Sequence, residues 1–281
     1  DIVKLIDTTK CTACRGCQVA CKQWNEMPGK RTRNFGSYQN PPDLQWNTWT
    51  LIRFQEHVDS KGTLKWLFRK DGCMHCTDAA CVKVCPTGAL HYTEFGSVGL
   101  KEDLCIGCKN CVAACPFEVP RYNESTDRIT KCDLCQTRLQ AGRLPACVLS
   151  CPTGALTIGR KDVMLRAAEK RVKELGGDAN VYGDRFVGGT HVLYVLSEKP
   201  EVYDVGAQQS GTQFWFPLIL AVVLLGGELS TTVWASALTR ESRQGRQVMT
   251  RFITYSIATV VAFIISFLVW VAMAAAFAPG E

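Results

Sequence analysis

The rhythm of hydrophobic and polar positions changes near residue 205. Before that point the apolar runs are short and broken; after it come two long ones. The run from Phe214 to Leu238, FWFPLILAVVLLGGELSTTVWASAL, carries a single charge, Glu228, and Phe252 to Ala278 carries none. Each exceeds the ~20 residues that a spanning helix needs, so the pattern predicts a transmembrane hairpin of two helices. Trp215, Trp234, Tyr255 and Trp270 are candidates for its interfacial belts. Upstream, Lys161 to Leu175 places Leu165, Ala168, Val172 and Leu175 on one helical face. TWTLIRFQE and LKWLF predict a pair of strands, and HVLYVLSE a further strand. The Pro/Asn-rich YQNPPDLQW reads as a loop ahead of the pair.

The chain of 281 residues allows one large domain or two smaller ones, ahead of the hairpin. Its 32 basic and 26 acidic residues give a modest positive balance, and no Lys/Arg run points to nucleic acid. No signal peptide is read in the opening residues. Cysteine changes the picture. There are 16, all between Cys11 and Cys151, which leaves disulfides, structural zinc or iron–sulfur clusters.

They fall into four groups of four. Cys11, Cys14, Cys17 and Cys21 are spaced C-x2-C-x2-C-x3-C, as are Cys105, Cys108, Cys111 and Cys115. Cys73, Cys76, Cys81 and Cys85 are spaced C-x2-C-x4-C-x3-C, and Cys132, Cys135, Cys147 and Cys151 C-x2-C-x11-C-x3-C. A tight run of three thiolates wraps one cubane cluster, while the fourth cysteine of each run reaches a neighbouring one. Pro86, Pro116 and Pro152 follow the fourth cysteine in three groups; Lys22 stands there in the first. Sixteen ligands make four 4Fe–4S clusters.

Exchange of the fourth ligand pairs the groups. Groups two and three, joined by TGALHYTEFGSVGLKEDL, form an inner ferredoxin-like unit, and groups one and four an outer unit into which it is inserted. The expected sets are Cys11, Cys14, Cys17 with Cys151; Cys21 with Cys132, Cys135, Cys147; Cys73, Cys76, Cys81 with Cys115; and Cys85 with Cys105, Cys108, Cys111. CPTGAL, present at both Cys85 and Cys151, points to an internal duplication. The fold class is α+β: the outer unit over about 1–60 and 117–160, the inner over about 61–116, then the anchor from 206 to 281. Disulfides between such near neighbours would be strained. The fourth group alone has a spacing open to zinc, which keeps a zinc-stapled, membrane-anchored binding protein as an alternative.

The blocks CTACRGCQVACKQWN, RKDGCMHC, CIGCKNCVAACPFEVPRYN, KCDLCQ, PACVLSCPTGA and VGGTHVLYVL together resemble the beta subunit of membrane-bound respiratory formate dehydrogenases. The likeness covers about residues 1–205. The wider family is the four-cluster subunit of molybdenum or tungsten oxidoreductases, which keeps a hydrogenase or a polysulfide or dimethyl sulfoxide reductase as alternatives. All sixteen cysteines being present argues against the nitrate reductase branch, where a ligand is lost. The resemblance implies a non-catalytic wire. Electrons pass from a Mo/W-pterin alpha subunit through the four clusters to haem b in a membrane gamma subunit, and on to quinone. It also implies that the outer unit faces the catalytic subunit, that the inner unit lies nearer the membrane, and that YQNPPDLQW meets the alpha subunit. Arg15, Lys22, Lys83 and Lys109 are candidates for raising cluster potentials, though solvated surface charge is the preferred reading of each. His75 is read as a packed or surface residue rather than a contact to cluster sulfur.

A relative within that family ends in one spanning helix, whereas two apolar runs stand here. The four histidines, His57, His75, His91 and His191, all precede residue 205, so any haem belongs to another chain. Between the runs, Arg240, Arg243, Arg246 and Arg251 outnumber Glu241, which places this loop in the cytoplasm and the cluster domain in the periplasm of a bacterial inner membrane. Such a domain would cross folded, with an alpha subunit bearing a twin-arginine signal. Glu228, after Gly226 and Gly227, is read as a contact to a partner helix in preference to a proton relay near a quinone.

Overall fold

The computed structural model describes residues 1–59 and 62–205. In chain order it runs β1 (Ile2–Asp7), α1 (Gly16–Trp24), β2 (Leu51–Val58), β3 (Leu64–Asp71), α2 (Ala80–Lys83), β4 (Leu90–Tyr92), β5 (Val98–Leu100) and α3 (Asn110–Ala114). It continues with β6 (Arg121–Asn123), β7 (Arg128–Thr130), α4 (Gln136–Gln140), α5 (Ala146–Leu149), β8 (Leu156–Arg160), α6 (Lys161–Leu175), β9 (Asn180–Tyr182) and β10 (Val192–Leu196). The expected hairpin helices lie outside the described residues. Among the described residues no helix is long and apolar enough to cross a membrane.

The strand period of two explains the main sheet, ordered β8-β1-β10-β9. Val3, Leu5, Leu193 and Val195 face α6, against Met164, Leu165, Ala168, Val172 and Leu175. This is the helical face expected from the sequence. Ile6, Val192, Tyr194 and Leu196 face the other way, into the core that also holds Cys17 and Cys147. Burying one such Leu, Ile or Val side chain is worth about 1.5–3 kcal/mol, so this two-sided burial fixes the register. TWTLIRFQE and LKWLF form the antiparallel pair β2–β3, from Leu51 opposite Asp71 to Val58 opposite Leu64. HVLYVLSE supplies β10, parallel to β1.

The duplication extends well past CPTGAL. One half runs β1, α1, the β2–β3 hairpin, α2, β4; the other runs β5, α3, the β6–β7 hairpin, α5, β8. The halves pair at their ends, β1 with β8 and β4 with β5, both antiparallel. Gly88 (φ 66°) and Gly154 (φ 64°) turn the two CPTGAL segments identically, in a region glycine enters at little cost. Arg15 (φ 61°) and Lys109 (φ 62°) open α1 and α3 from matching left-handed positions.

The unit limits expected near residues 60 and 116 fall beside hairpins that both units use. β2 and β3 pair across the first limit. Beyond the second, Ile129 and Tyr122 pack on the inner core with Ala79, Leu90 and Val98. Strand pairing and apolar packing link the units more closely than cysteine spacing alone conveys.

Candidate metal centres

Strand pairing brings the thiols together. Asp7 N–H donates to the Ala155 carbonyl at 2.8 Å; the chain runs on four residues from Asp7 to Cys11, and Cys151 lies four residues before Ala155. Lys101 N–H donates to the Ala89 carbonyl at 2.9 Å, and Cys105 and Cys85 stand at the same offsets. Cys11, Cys14, Cys17 and Cys151 line one hollow, with Ile6, Ile52 and Lys70 on its wall. This is site one. Cys85, Cys105, Cys108 and Cys111 line a second, with Leu90, Leu100 and Ile129 on its wall. This is site four.

The other eight thiols form two groups that influence one another through space. Cys21 and Cys135 each face Cys132 and Cys147, making site two. Cys76 faces Cys73, Cys81 and Cys115, making site three. The sites form a series. Cys17 of site one is within electrostatic reach of Cys147 of site two, Cys73 of site three of Cys132 of site two, and Cys81 of site three of Cys111 of site four. Cys14 and Cys108, at the two ends, are the exposed cysteines among the sixteen. All four cysteines of site two are buried.

These groupings fit a body larger than an ion. All sixteen thiols are free of disulfides. Among the described residues no group of three or more Cys, His, Asp or Glu is gathered closely enough to hold a single metal ion. A zinc ion would draw its sulfurs to about 2.3 Å from itself. Backbone N–H groups already point at sulfur: Gly16 at Cys14 (3.5 Å), Leu90 at Cys85 (3.5 Å) and Leu134 at Cys132 (3.4 Å). Such donors favour charge on sulfur and tune cluster potentials.

Burial sets the thiols' acidity. It pushes Cys17 up to about 11 and Cys21 up to about 12, where the neighbouring Cys132 adds to the rise. Cys81 is likewise up to about 12 and Cys111 up to about 11, by burial and adjacent thiols. Cys85 moves the other way. Burial raises it, but the Leu90 N–H and the Thr87 hydroxyl and N–H more than compensate. Metal-free, the raised thiols are protonated at neutral pH, so cluster loading displaces protons.

The charges singled out from the sequence have partners other than sulfur, although Arg15 and Lys109 line the hollows of sites one and four. Lys22 donates to the Asn47 carbonyl at 2.8 Å, Lys83 pairs with Asp78, Lys109 lies 3.8 Å from the Tyr122 ring centroid, and Arg15 packs over Phe54. Sequence reasoning missed Lys70 and Lys131, which are 3% and 2% exposed. Burial works against the charge on Lys70, yet Cys147, Cys132 and Cys17 more than offset it and hold the ammonium above its ordinary range. Lys131 Nζ donates to the carbonyls of Val98 (2.5 Å) and Cys132 (2.8 Å). The signal available was a lysine just ahead of each C-x2-C, in RKDGC and TKCDLC.

His75 is packed: fully buried, its Nδ1 accepts from Val98 N–H at 3.2 Å. His191 Nδ1 lies 2.8 Å from the His75 carbonyl.

Two family models describing a 4Fe–4S dicluster domain match, at residues 10–89 and 64–161. The fold and thiol groups are therefore those of a multi-cluster ferredoxin-like protein, with provision for four 4Fe–4S clusters. The chain is 46% identical over 210 residues to the iron–sulfur subunit of the nitrate-inducible formate dehydrogenase of Escherichia coli, covering 72% of this chain and 71% of that one. It is 46% identical over 212 residues to the formate dehydrogenase iron–sulfur subunit of Haemophilus influenzae, covering 73% and 68%. It is 41% identical over 215 residues to the formate dehydrogenase 2 subunit beta (cytochrome c-553) of Nitratidesulfovibrio vulgaris, covering 71% and 94%. The chain belongs to the family of formate dehydrogenase iron–sulfur subunits.

Proposed function

We propose that this chain is the electron-transfer subunit of a membrane-bound formate dehydrogenase, with no bond-breaking chemistry of its own. Cys11, Cys14, Cys17 and Cys151 hold the cluster of site one. Cys21, Cys132, Cys135 and Cys147 hold that of site two, Cys73, Cys76, Cys81 and Cys115 that of site three, and Cys85, Cys105, Cys108 and Cys111 that of site four. A bound 4Fe–4S cluster supplies one-electron redox chemistry. The chain's residues fix the order of the sites, bury all four thiols of site two and aim N–H donors at sulfur.

The observation that carries this reading is the serial placement of the four thiol groups, with exposed Cys14 at one end and exposed Cys108 at the other. Each end is flanked by exposed apolar side chains: Val19 (62%) and Leu149 (64%) on the packed helices α1 and α5, and Ile106 (62%) beside Cys108. In this reading the first end meets a Mo/W-pterin catalytic subunit and the second a cytochrome b-type subunit that passes electrons to quinone. The apolar runs at 214–238 and 252–278 anchor the chain in a bacterial inner membrane, with the arginine-rich loop between them in the cytoplasm and the cluster domain in the periplasm.

The test is to tag this chain and isolate its complex from membranes in mild detergent. The expected preparation contains molybdenum or tungsten, haem b and a formate-dependent quinone reductase activity. A preparation that oxidises hydrogen and leaves formate untouched overturns the assignment.

A further inference from the structure

The two halves of the duplication match closely around sites one and four, and differ at one position that changes charge. Around site one stand Ile6, Arg15, Thr153, Ala155 and Leu156; around site four stand Leu100, Lys109, Thr87, Ala89 and Leu90. Lys70 and Ile129 occupy corresponding places. Each lies on the second strand of its hairpin, three residues before the cysteine that opens a C-x2-C run, Cys73 or Cys132. Each lines the hollow at its own end. One end therefore has a buried cation where the other has a buried aliphatic side chain.

Lys70 lines the hollow of site one, and Cys132 and Cys147 also act on it through space, so its charge is felt at site two as well. Lys131 acts on Cys73, Cys81 and Cys115 while its Nζ is bonded to the Cys132 carbonyl, so it stands between sites two and three. Neither forms an ion pair with a carboxylate among the described residues. Between sites three and four the packing is apolar, made by Ala79, Leu90, Val98 and Ile129 around Cys81 and Cys111. A cluster becomes more negative on reduction, and net charge and burial help set its potential. A nearby buried cation favours the reduced form, because little water screens it.

We propose that Lys70 and Lys131 are fixed buried cations that grade the potentials along the series, so that site two, flanked by both, fills first and site four, flanked by neither, fills last. Both act through the clusters' surroundings and ligate nothing. This inference rests on the four-cluster reading given above. On it, the reduced protein keeps its first electron in the buried interior, away from the solvent-exposed Cys108 end.

The experiment is redox titration of the native complex followed by electron paramagnetic resonance, with each signal assigned through single-cysteine variants. Lys70→Met is expected to lower the midpoints of sites one and two by at least tenfold in the reduction equilibrium, about 59 mV for one electron. Lys131→Met is expected to lower sites two and three, and neither variant to move site four. Lys70→Arg, which keeps the charge, restores the midpoints, whereas a merely structural loss would not be rescued selectively. Ile129→Lys, the reciprocal change, raises site four. Four signals whose midpoints do not move in any variant overturn the lysine inference and leave the wire intact. Fewer than four signals in the unaltered complex overturn both.

Discussion

Cys11 and Cys151, from the first and last cysteine groups, line the same hollow. The cause lies outside the cysteine groups, in β1 lying antiparallel to β8 with Ile6 opposite Leu156. The chain leaves β1 toward Cys11 and enters β8 from Cys151, so two remote cysteines become neighbours.

This geometry separates exchanged ligands from self-contained groups. If the last group held a cluster alone, Cys132→Ala and Cys151→Ala would abolish the same signal. The placement of the thiols instead predicts that Cys151→Ala and Cys11→Ala abolish one paramagnetic signal and Cys132→Ala another. Signals assigned by potential and relaxation in the three variants decide between the two patterns.

Cluster removal is expected to unfold the domain around the sites. Cys17 and Cys147 sit in the same core as Ile6, Ile52, Leu156 and Tyr194, and Cys81 and Cys111 pack with Leu90 and Val98. The helices beside them, α2 and α5, have 4 residues each, far below the ~12–15 at which an isolated helix becomes even marginal. Stripping iron with a chelator under anaerobic conditions should abolish the cooperative thermal transition and reduce far-ultraviolet dichroism. An unchanged melt after complete iron loss would contradict this.

Acid should destabilise the fold below the ordinary histidine range. Burial lowers His75 well below 6.5, with Lys131 and Lys4 adding to the effect. Burial also lowers His191, against the opposing pull of the His75 carbonyl. Both groups are depressed on folding, so the unfolded chain takes up more protons as pH falls through about 6.5. The stability they confer is complete above that value and lost below it, by up to about 1.4 kcal/mol per pH unit for each group. Thermal midpoints between pH 7.5 and 5.5 should therefore fall less steeply in His191→Gln than in the unaltered protein.

Asp71 anchors the base of the β2–β3 hairpin. Arg53 Nε donates to it at 2.6 Å, Arg69 Nη1 at 3.2 Å and Gly72 N–H at 2.9 Å. Burial alone would raise its pKa, but Arg69 and Arg53 hold the carboxyl below its ordinary value. Arg53 keeps Asp43 as a second partner and Arg69 keeps the Tyr203 and Asp204 carbonyls, so losing the charge on Asp71 removes charge-assisted hydrogen bonds worth about 1.5–3 kcal/mol. Asp71→Asn should lower the denaturation midpoint accordingly, while Asp162→Asn, at an exposed pair with Arg166, should change it little.

Cysteine spacing, the apolar face of α6 and the strands of the β2–β3 hairpin were legible because each depends on residues near in sequence. Lys70 and Lys131 were not. A lysine on a strand reads as solvent-facing, and only the packing of hairpin, α1 and α5 encloses Lys70 among thiols. The basic residues immediately beside the cysteines, such as Lys22 and Lys109, found backbone or aromatic partners instead. The full extent of the duplication was hidden for the same reason. Outside CPTGAL the matched positions share role and backbone shape more than residue type, as Ile6 and Leu100 do.

The proposed function is the conduction of electrons from formate through four clusters in series. The direct measurement is to add formate to the anaerobic native complex, quench it by freezing at successive times, and record the resonance of its clusters. Clusters assigned to this chain should be reduced promptly and reoxidised by an added quinone. Clusters that dithionite reduces but formate leaves oxidised would contradict it.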